Sequence, residues 1–427
     1  MKYGLDIHLY SSAVDKIDFY LKDVFSLFSD VLDYLVPGVR VHHSAVALIS
    51  FDIALQMGLS NDEIELVTNA SLIHDIGLGG LAKRFDSIEG MELDYEHCRV
   101  GYEMLKKIPW AGRHAEIVLH HHDKWIGDNK SGAKKDTIPL ESRIIFLANE
   151  VAMQVYTGSP YTLLNMKDAV LRRVRDLKGT YFDPDVVGAF EKVAQREAFW
   201  FSLNPVVVKE LVKSSIPGGK RVFSTPDIIR TYTVLADIVD FKSQFTRNHS
   251  INVARLAALL ACKMHFSEFD IDMTMLGGLL HDIGKVAVPS YVLDKPGRLT
   301  KEEFNIMKLH PYVTHTILAS APSFGFVDMI ASLHHEKLNG SGYPFRLTKR
   351  HLSLGARLMA VADIFSALHE RRPYRRNFGF AEIMNIMLDM VAKGEIDADI
   401  VDVLVANKDE AIGIINEDLS RRFDWFT

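Results

Sequence analysis

Apolar residues recur along most of this chain at intervals of three and four, and sustained strict alternation is scarce. A period near 3.6 puts such residues on one face of a helix, whereas a half-buried strand needs a period of two. Segments 251–264 (INVARLAALLACKM), 326–338 (FVDMIASLHHEKL) and 353–370 (SLGARLMAVADIFSALHE) therefore read as helices. Start and stop residues sharpen several ends. Ser60 with Glu63, and Thr300 with Glu303, have capping-box spacing, so helices are expected to open there, the second closing at His310. Gly179 is expected to close segment 166–179, and Gly284 to close a helix that carries His281 and Asp282. The tail after Lys408 reads as a final packing helix. The expected fold class is all-α.

With 427 residues and 48% hydrophobic content, two domains near 200 residues each are expected, both able to bury a core. The interruption between them is 214–227, SSIPGGKRVFSTPD, where Pro217, Gly218, Gly219 and Pro226 break two apolar helical stretches. The expected domains are 1–213 and 225–427. The two halves also repeat one pattern. LIHDIGL at 72–78 parallels LLHDIGK at 279–285, and the separations agree: 121 − 97 = 334 − 310 = 24 and 149 − 143 = 363 − 357 = 6. Matching order and spacing argue for an internal duplication.

Candidate chemistry lies in the second copy. His281 and Asp282 are followed by Lys285, and His249, His310, His334, His335 and Asp363 fall on four other helical segments. A lone His-Asp pair is weak evidence, and most of the 18 histidines of a chain like this serve as caps or core residues. Seven imidazole and carboxylate donors at helix ends are a different matter, since borderline divalent ions require such ligands. Seven donors exceed the need of one ion, and two ions sharing Asp282 would use them all.

In that order of residues the chain resembles the HD phosphohydrolase superfamily. HHEKLNGSGYPFRL at 334–347 and RRPYRR at 371–376 narrow the resemblance to its HD-GYP branch, the bacterial cyclic dinucleotide phosphodiesterases, over roughly residues 225 to 400. The resemblance implies two tandem helical HD-type domains and two divalent ions (Mn, Fe or Ni). One ion would lie on His249, His281, Asp282 and Asp363, the other on Asp282, His310, His334 and His335. It further implies that Lys285 neutralises the scissile phosphate beside the bridging Asp282, that Arg372 and Arg375 hold the nucleotide phosphates, and that Tyr343 sits near a base or ribose. Some family members carry a glutamate for a third ion where this chain has Phe245, beside Gln244, so two ions are expected rather than three. Asn339 and Ser366 also depart from common family residues, at positions that are not proposed ligands.

The first copy is degenerate. Leu78 stands at the Lys285 position, Asn149 at the Asp363 position, and no Gly-Tyr-Pro loop follows Lys124. Its first histidine is His42 or His43. An amide binds divalent ions poorly, and without the lysine the scissile charge is uncompensated, so this half is read as non-catalytic. Two readings stay open for its histidines: one ion on His74, Asp75, His97, His121 and His122, or relics packed in a helical core.

A net charge of −6 without a long basic run disfavours polymeric nucleic acid, which is bound through broad phosphate neutralisation. A small dianionic nucleotide needs only a local cluster. No apolar stretch reaches the roughly 20 residues of a membrane span, and Cys98 and Cys262 lie in different halves, so a soluble protein of the reducing cytoplasm is expected, with a homodimer compatible. The expected activity is hydrolysis of a 3′,3′-cyclic dinucleotide, with 3′,3′-cGAMP ahead of cyclic di-GMP. A non-hydrolytic cyclic dinucleotide receptor and a general HD-superfamily nucleotide phosphohydrolase are the alternatives.

Overall fold

The structure is a computed structural model that describes residues 17–35, 41–81, 95–156, 162–216, 220–242, 248–370 and 378–417. The fold is all-α, as expected: helices make up nearly all of the regular structure, and the strands described are the antiparallel pair Ile17–Tyr20 and Lys220–Phe223. The second strand falls inside the segment expected to interrupt the two halves. Phe223 turns inward there and packs on Trp110 at 5.3 Å between ring centroids. Among the described residues no helix is long and apolar enough to cross a membrane.

Several helix starts follow the local chemistry. Ser60 and Thr300 both close full capping boxes with Glu63 and Glu303, opening helices Asn61–Leu72 and Lys301–Met307. The second helix does not reach His310. It ends at Met307, and after Lys308 a new helix, Leu309–Ala319, begins with His310 in its first turn. His310 Nδ1 faces the Met307 carbonyl at 2.7 Å, so the chain break itself orients the ring. Gly284 does not terminate a helix either. Helix Glu268–Leu280 stops one residue before His281, and Gly284 lies within a 3-10 turn, Ile283–Ala287. What the glycine allows is contact: a Cβ there would stand 1.9 Å from the His310 carbonyl oxygen. Helix Lys167–Asp176 likewise ends three residues short of Gly179, and the expected last helix spans Lys408–Asn416.

The duplication is visible in three dimensions. Gly77 approaches the His97 carbonyl as Gly284 approaches that of His310, again at 1.9 Å for an added Cβ. Arg143 pairs with Asp183 at 2.6 Å, and Arg357 with Asp397 at 2.7 Å, each aspartate also capping the helix that follows it. The halves share one continuous apolar core that includes Leu21, Val46, Phe190, Tyr232, Leu280 and Phe324, while a second core belongs to the C-terminal half alone. Helix Leu21–Leu35 bridges the copies. Its Phe28 stacks on Tyr232 with centroids 6.2 Å apart, and its Asp23 and Asp30 accept hydrogen bonds from Ser323 and Ser320.

Candidate metal centre

Five elements bring all seven sequence-predicted donors of the C-terminal half together. His249 opens helix His249–Lys263, His281 and Asp282 follow helix Glu268–Leu280, and His310 lies in the first turn of Leu309–Ala319. His334 and His335 lie just past helix Gly325–Ala331, and Asp363 sits within Leu354–His369. Residues at or near helix termini are used because there a short side chain can reach a point shared with neighbouring helices. His281, His310 and His334 each direct Nδ1 at a backbone carbonyl, of Gly278, Met307 and Ala331 respectively, at 2.6 to 2.7 Å. A carbonyl can only accept, so Nδ1 carries the proton and Nε2 presents its lone pair inward.

Asp282 stands at the centre, and its two oxygens face different partners. Oδ2 is 3.2 Å from His281 and 3.7 Å from His249, while Oδ1 is 3.5 Å from His310 and 3.9 Å from His334. Asp363 Oδ1 approaches His249 at 3.1 Å, and its Oδ2 approaches His335 Nδ1 at 3.9 Å. The donor atoms of His249, His281 and Asp363 fall within 4.8 Å of one another, as do those of His310, His334 and His335. His281 Nε2 is fully buried without a directed hydrogen bond. An orphaned imidazole nitrogen beside a carboxylate is costly unless a cation fills the gap, so the residues fit a divalent ion.

The electrostatics agree. Burial pushes His310 down to about 3 and His334 to about 4, and drives His335 well below the usual histidine range, leaving three neutral rings with available lone pairs. For Asp282, burial opposes ionisation, but His281 and Lys285 outweigh it and hold the carboxyl well below its ordinary value. His249 is the exception among the rings: burial disfavours its charge, yet Glu370 and Asp363 push it up to about 10.

Lys285 pairs with Asp282 Oδ2 and lines a cleft of about 400 Å3, which His249, His310, His335, Tyr343 and Asp363 also line. The Tyr343 ring tilts over His335 at 4.8 Å and meets Phe304 edge-on at 6.0 Å. Arg372, Arg375 and Phe245 lie outside the described residues.

Two positioning groups went unforeseen. Glu370 lies 3.1 Å from His249 Nδ1 and accepts from Ser366 at 3.0 Å, so it fixes the ring that Asp363 faces from the other side. Its spacing from Asp363, 370 − 363 = 7, puts both carboxylates on one helix face, and that was the readable signal. Glu336 accepts from the backbone of Phe345, Arg346 and Leu347 at 2.7 to 3.1 Å, closing the loop that carries Tyr343. Its signal was weaker, a lone acid after two histidines.

The first copy assembles the same nest. His74 directs Nδ1 at the Ser71 carbonyl and His121 at that of Val118, and His97 and His121 meet at 3.2 Å as His310 and His334 do at 3.3 Å. The counterpart of His249 is His42: each opens its helix, and 74 − 42 = 281 − 249 = 32. His43 occupies the place of Ser250, and the carboxylates ten residues upstream, Asp33 and Asp240, hold the two in turn.

Comparison with known proteins accords with this architecture. HD domain models match residues 39–154 and 233–400, one in each half. The 3′3′-cGAMP-specific phosphodiesterase 1 of Vibrio cholerae is 31% identical over 398 residues, covering 91% of this chain and 92% of that protein. A cyclic di-GMP phosphodiesterase of Pseudomonas aeruginosa is 35% identical over 165 residues, 38% of this chain and 40% of its own length. A solved Vibrio cholerae structure, titled a cyclic GMP-AMP specific phosphodiesterase, has the same fold, with a TM-score of 0.66 at 23% identity over 93% of this chain and 98% of that one.

Proposed function

The chain belongs to the HD-GYP family of phosphodiesterases, and on that premise we propose that it hydrolyses a 3′,3′-cyclic dinucleotide to the linear 5′-phosphorylated dinucleotide. In this reading 225–427 is the catalytic half and 1–213 the non-catalytic one. The observation that carries the reading is Asp282, whose two oxygens face two separate histidine sets beside a cleft. The preferred substrate is 3′,3′-cGAMP, with cyclic di-GMP next. Supporting that order, the relative named for cGAMP matches across both halves, whereas the cyclic di-GMP relative matches over 38% of the chain.

Two divalent ions, of Mn, Fe or Ni, would be held by His249, His281, Asp282 and Asp363 and by Asp282, His310, His334 and His335. When bound, such a pair acidifies water and draws charge from a phosphoryl group. The chain itself supplies position and charge. Lys285 places a fixed cation at the cleft wall to offset the anionic phosphate, a contribution of the size lost when one charge-stabilising donor is removed, about 3 to 4 kcal/mol. Tyr343, braced by His335 and Phe304, offers an aromatic face for a base or ribose. Arg372 and Arg375 hold the nucleotide phosphates; they come two and five positions after Glu370, which orients His249. The expected setting is the cytoplasm, with a homodimer compatible.

The test is a panel. Purified protein with Mn2+ is given 3′,3′-cGAMP, cyclic di-GMP or a deoxynucleoside triphosphate, and the products are separated. A linear 5′-phosphorylated dinucleotide is expected. Binding without turnover would instead indicate a receptor, and release of inorganic phosphate or triphosphate a general nucleotide phosphohydrolase.

A further inference from the structure

We propose that the N-terminal half carries a metal centre of its own, non-catalytic, in which His42, His43, His74 and Asp75 hold one divalent ion. The Nε2 atoms of these three histidines converge on a single oxygen, Asp75 Oδ2, at 3.9, 3.8 and 3.2 Å. The donor atoms of His42, His74 and Asp75 lie within 4.8 Å of one another and His43 Nε2 stands 3.8 Å from the same carboxylate oxygen, whereas ligands about 2.0 to 2.2 Å from a tetrahedral ion lie roughly 3.3 to 3.5 Å apart, so an ion would draw the four inward.

Proton placement favours the same conclusion. His43 faces the Asp33 carboxylate through Nδ1 at 2.6 Å, and His74 faces the Ser71 carbonyl through Nδ1 at 2.8 Å. Each therefore turns an Nε2 lone pair into the nest. Those two atoms are buried and make no directed hydrogen bond, and the side chains of His42, His43 and His74 are 3%, 2% and 0% exposed. Two inward lone pairs beside one carboxylate oxygen have nothing to share unless a cation stands among them, and His42 Nε2 faces the same oxygen.

The difference between the copies gives the site its logic. The first half lost a ligand when Asn149 took the Asp363 position, but it has a histidine where the catalytic half has Ser250. In the catalytic half Asp240 accepts from the Ser250 hydroxyl at 2.7 Å, and in the first half Asp33 grips His43. The same clasp thereby becomes the carboxylate that orients a metal-binding imidazole, an arrangement that supports metal affinity. Charge also balances: Asp33 and Asp75 together offset one divalent cation, and the three rings can bind as neutral ligands. Imidazole nitrogen with one carboxylate suits zinc, iron, nickel or manganese. Chemistry on a phosphodiester is not expected, because Leu78 stands where Lys285 serves the other half. The ion would instead fasten helices His42–Met57 and Asn61–Leu72 and, through Asp33, helix Leu21–Leu35, whose Asp23 and Asp30 reach Ser323 and Ser320 of the catalytic half.

The experiment uses the full chain with its catalytic half emptied by Asp282→Asn and His334→Ala. After loading with Zn2+ as the sole metal and exhaustive dialysis, elemental analysis should find about one zinc per chain, and zinc should raise the melting temperature. Adding His43→Ser should remove both effects. Serine is what the Asp240 clasp holds in the other half, so this variant keeps a partner for Asp33, and its helical circular dichroism should match that of the parent. In the otherwise native chain, His43→Ser should leave turnover at the native level. The proposal is overturned if the emptied protein holds no zinc. It is equally overturned if His43→Ser retains the zinc while His121→Ala loses it.

Discussion

The two halves differ less in what they gather than in what surrounds the gathering. Both bring a central aspartate among histidines, with His97 against His121 at 3.2 Å and His310 against His334 at 3.3 Å. The C-terminal half adds a lysine on that aspartate, a second carboxylate in Asp363, and a loop that places an aromatic ring at the mouth of a cleft. A cluster of donors is thus a binding device; it becomes a catalytic one through a nearby cation and a place for substrate. Leu78 and Asn149 remove the first two of these from the other half.

The contrast breaks most sharply at the central aspartates. Asp282→Asn should reduce cyclic dinucleotide turnover by about 10^3-fold or more and lower bound metal, whereas Asp75→Asn should leave turnover near native. Comparable losses in both, by steady-state assay and elemental analysis, would erase the distinction between the halves. Next in size, Lys285→Leu gives the C-terminal half the residue of the N-terminal one, Leu78. It should cost about 10^2- to 10^3-fold in kcat with metal content unchanged, and Leu78→Lys in the same chain should rescue nothing. A smaller effect is expected at Glu370→Gln, which releases His249 from its carboxylate: about 10- to 100-fold weaker metal affinity, read by titrating apoprotein, with activity returning as metal is raised.

The smallest prediction concerns a pair outside both nests. A hydrogen bond donated by His315 Nδ1 to the Asp328 carboxylate at 2.8 Å raises the His315 pKa, against partial burial that would lower it. A raised folded-state value means the contribution is complete below the unfolded pKa, about 6.5, and fades as pH rises through the folded value. The unfolding free-energy gap between native protein and His315→Gln, read by denaturant titration, should therefore be wider near about pH 6 than near about pH 8.5, by less than about 1 kcal/mol. A gap that widens with pH would contradict the assignment.

Much of this was legible because it is local or periodic. The capping boxes at Ser60 and Thr300 form as their spacing implies, and the order of histidines and aspartates survives folding into one nest. What the sequence concealed depends on approach between distant segments. Gly284 has the look of a helix stop, but its function is to let the turn touch the His310 carbonyl, which no linear pattern encodes. The spacing of 32 picks out His42, but the part played by His43 needed the Asp33 clasp, and the break at Lys308 hides within continuous helical periodicity. The strand Lys220–Phe223 was obscured because it pairs with residues some two hundred positions away.

Helix Leu21–Leu35 ties the first copy mechanically to the second. Its Phe28 covers Tyr232, and the residues around it join the apolar interior that continues to Leu280 and Phe324. A chain trimmed of its first half would meet water with that interior laid open, directly behind the turn bearing His281 and Asp282. The first copy in this way stands as a scaffold against its twin.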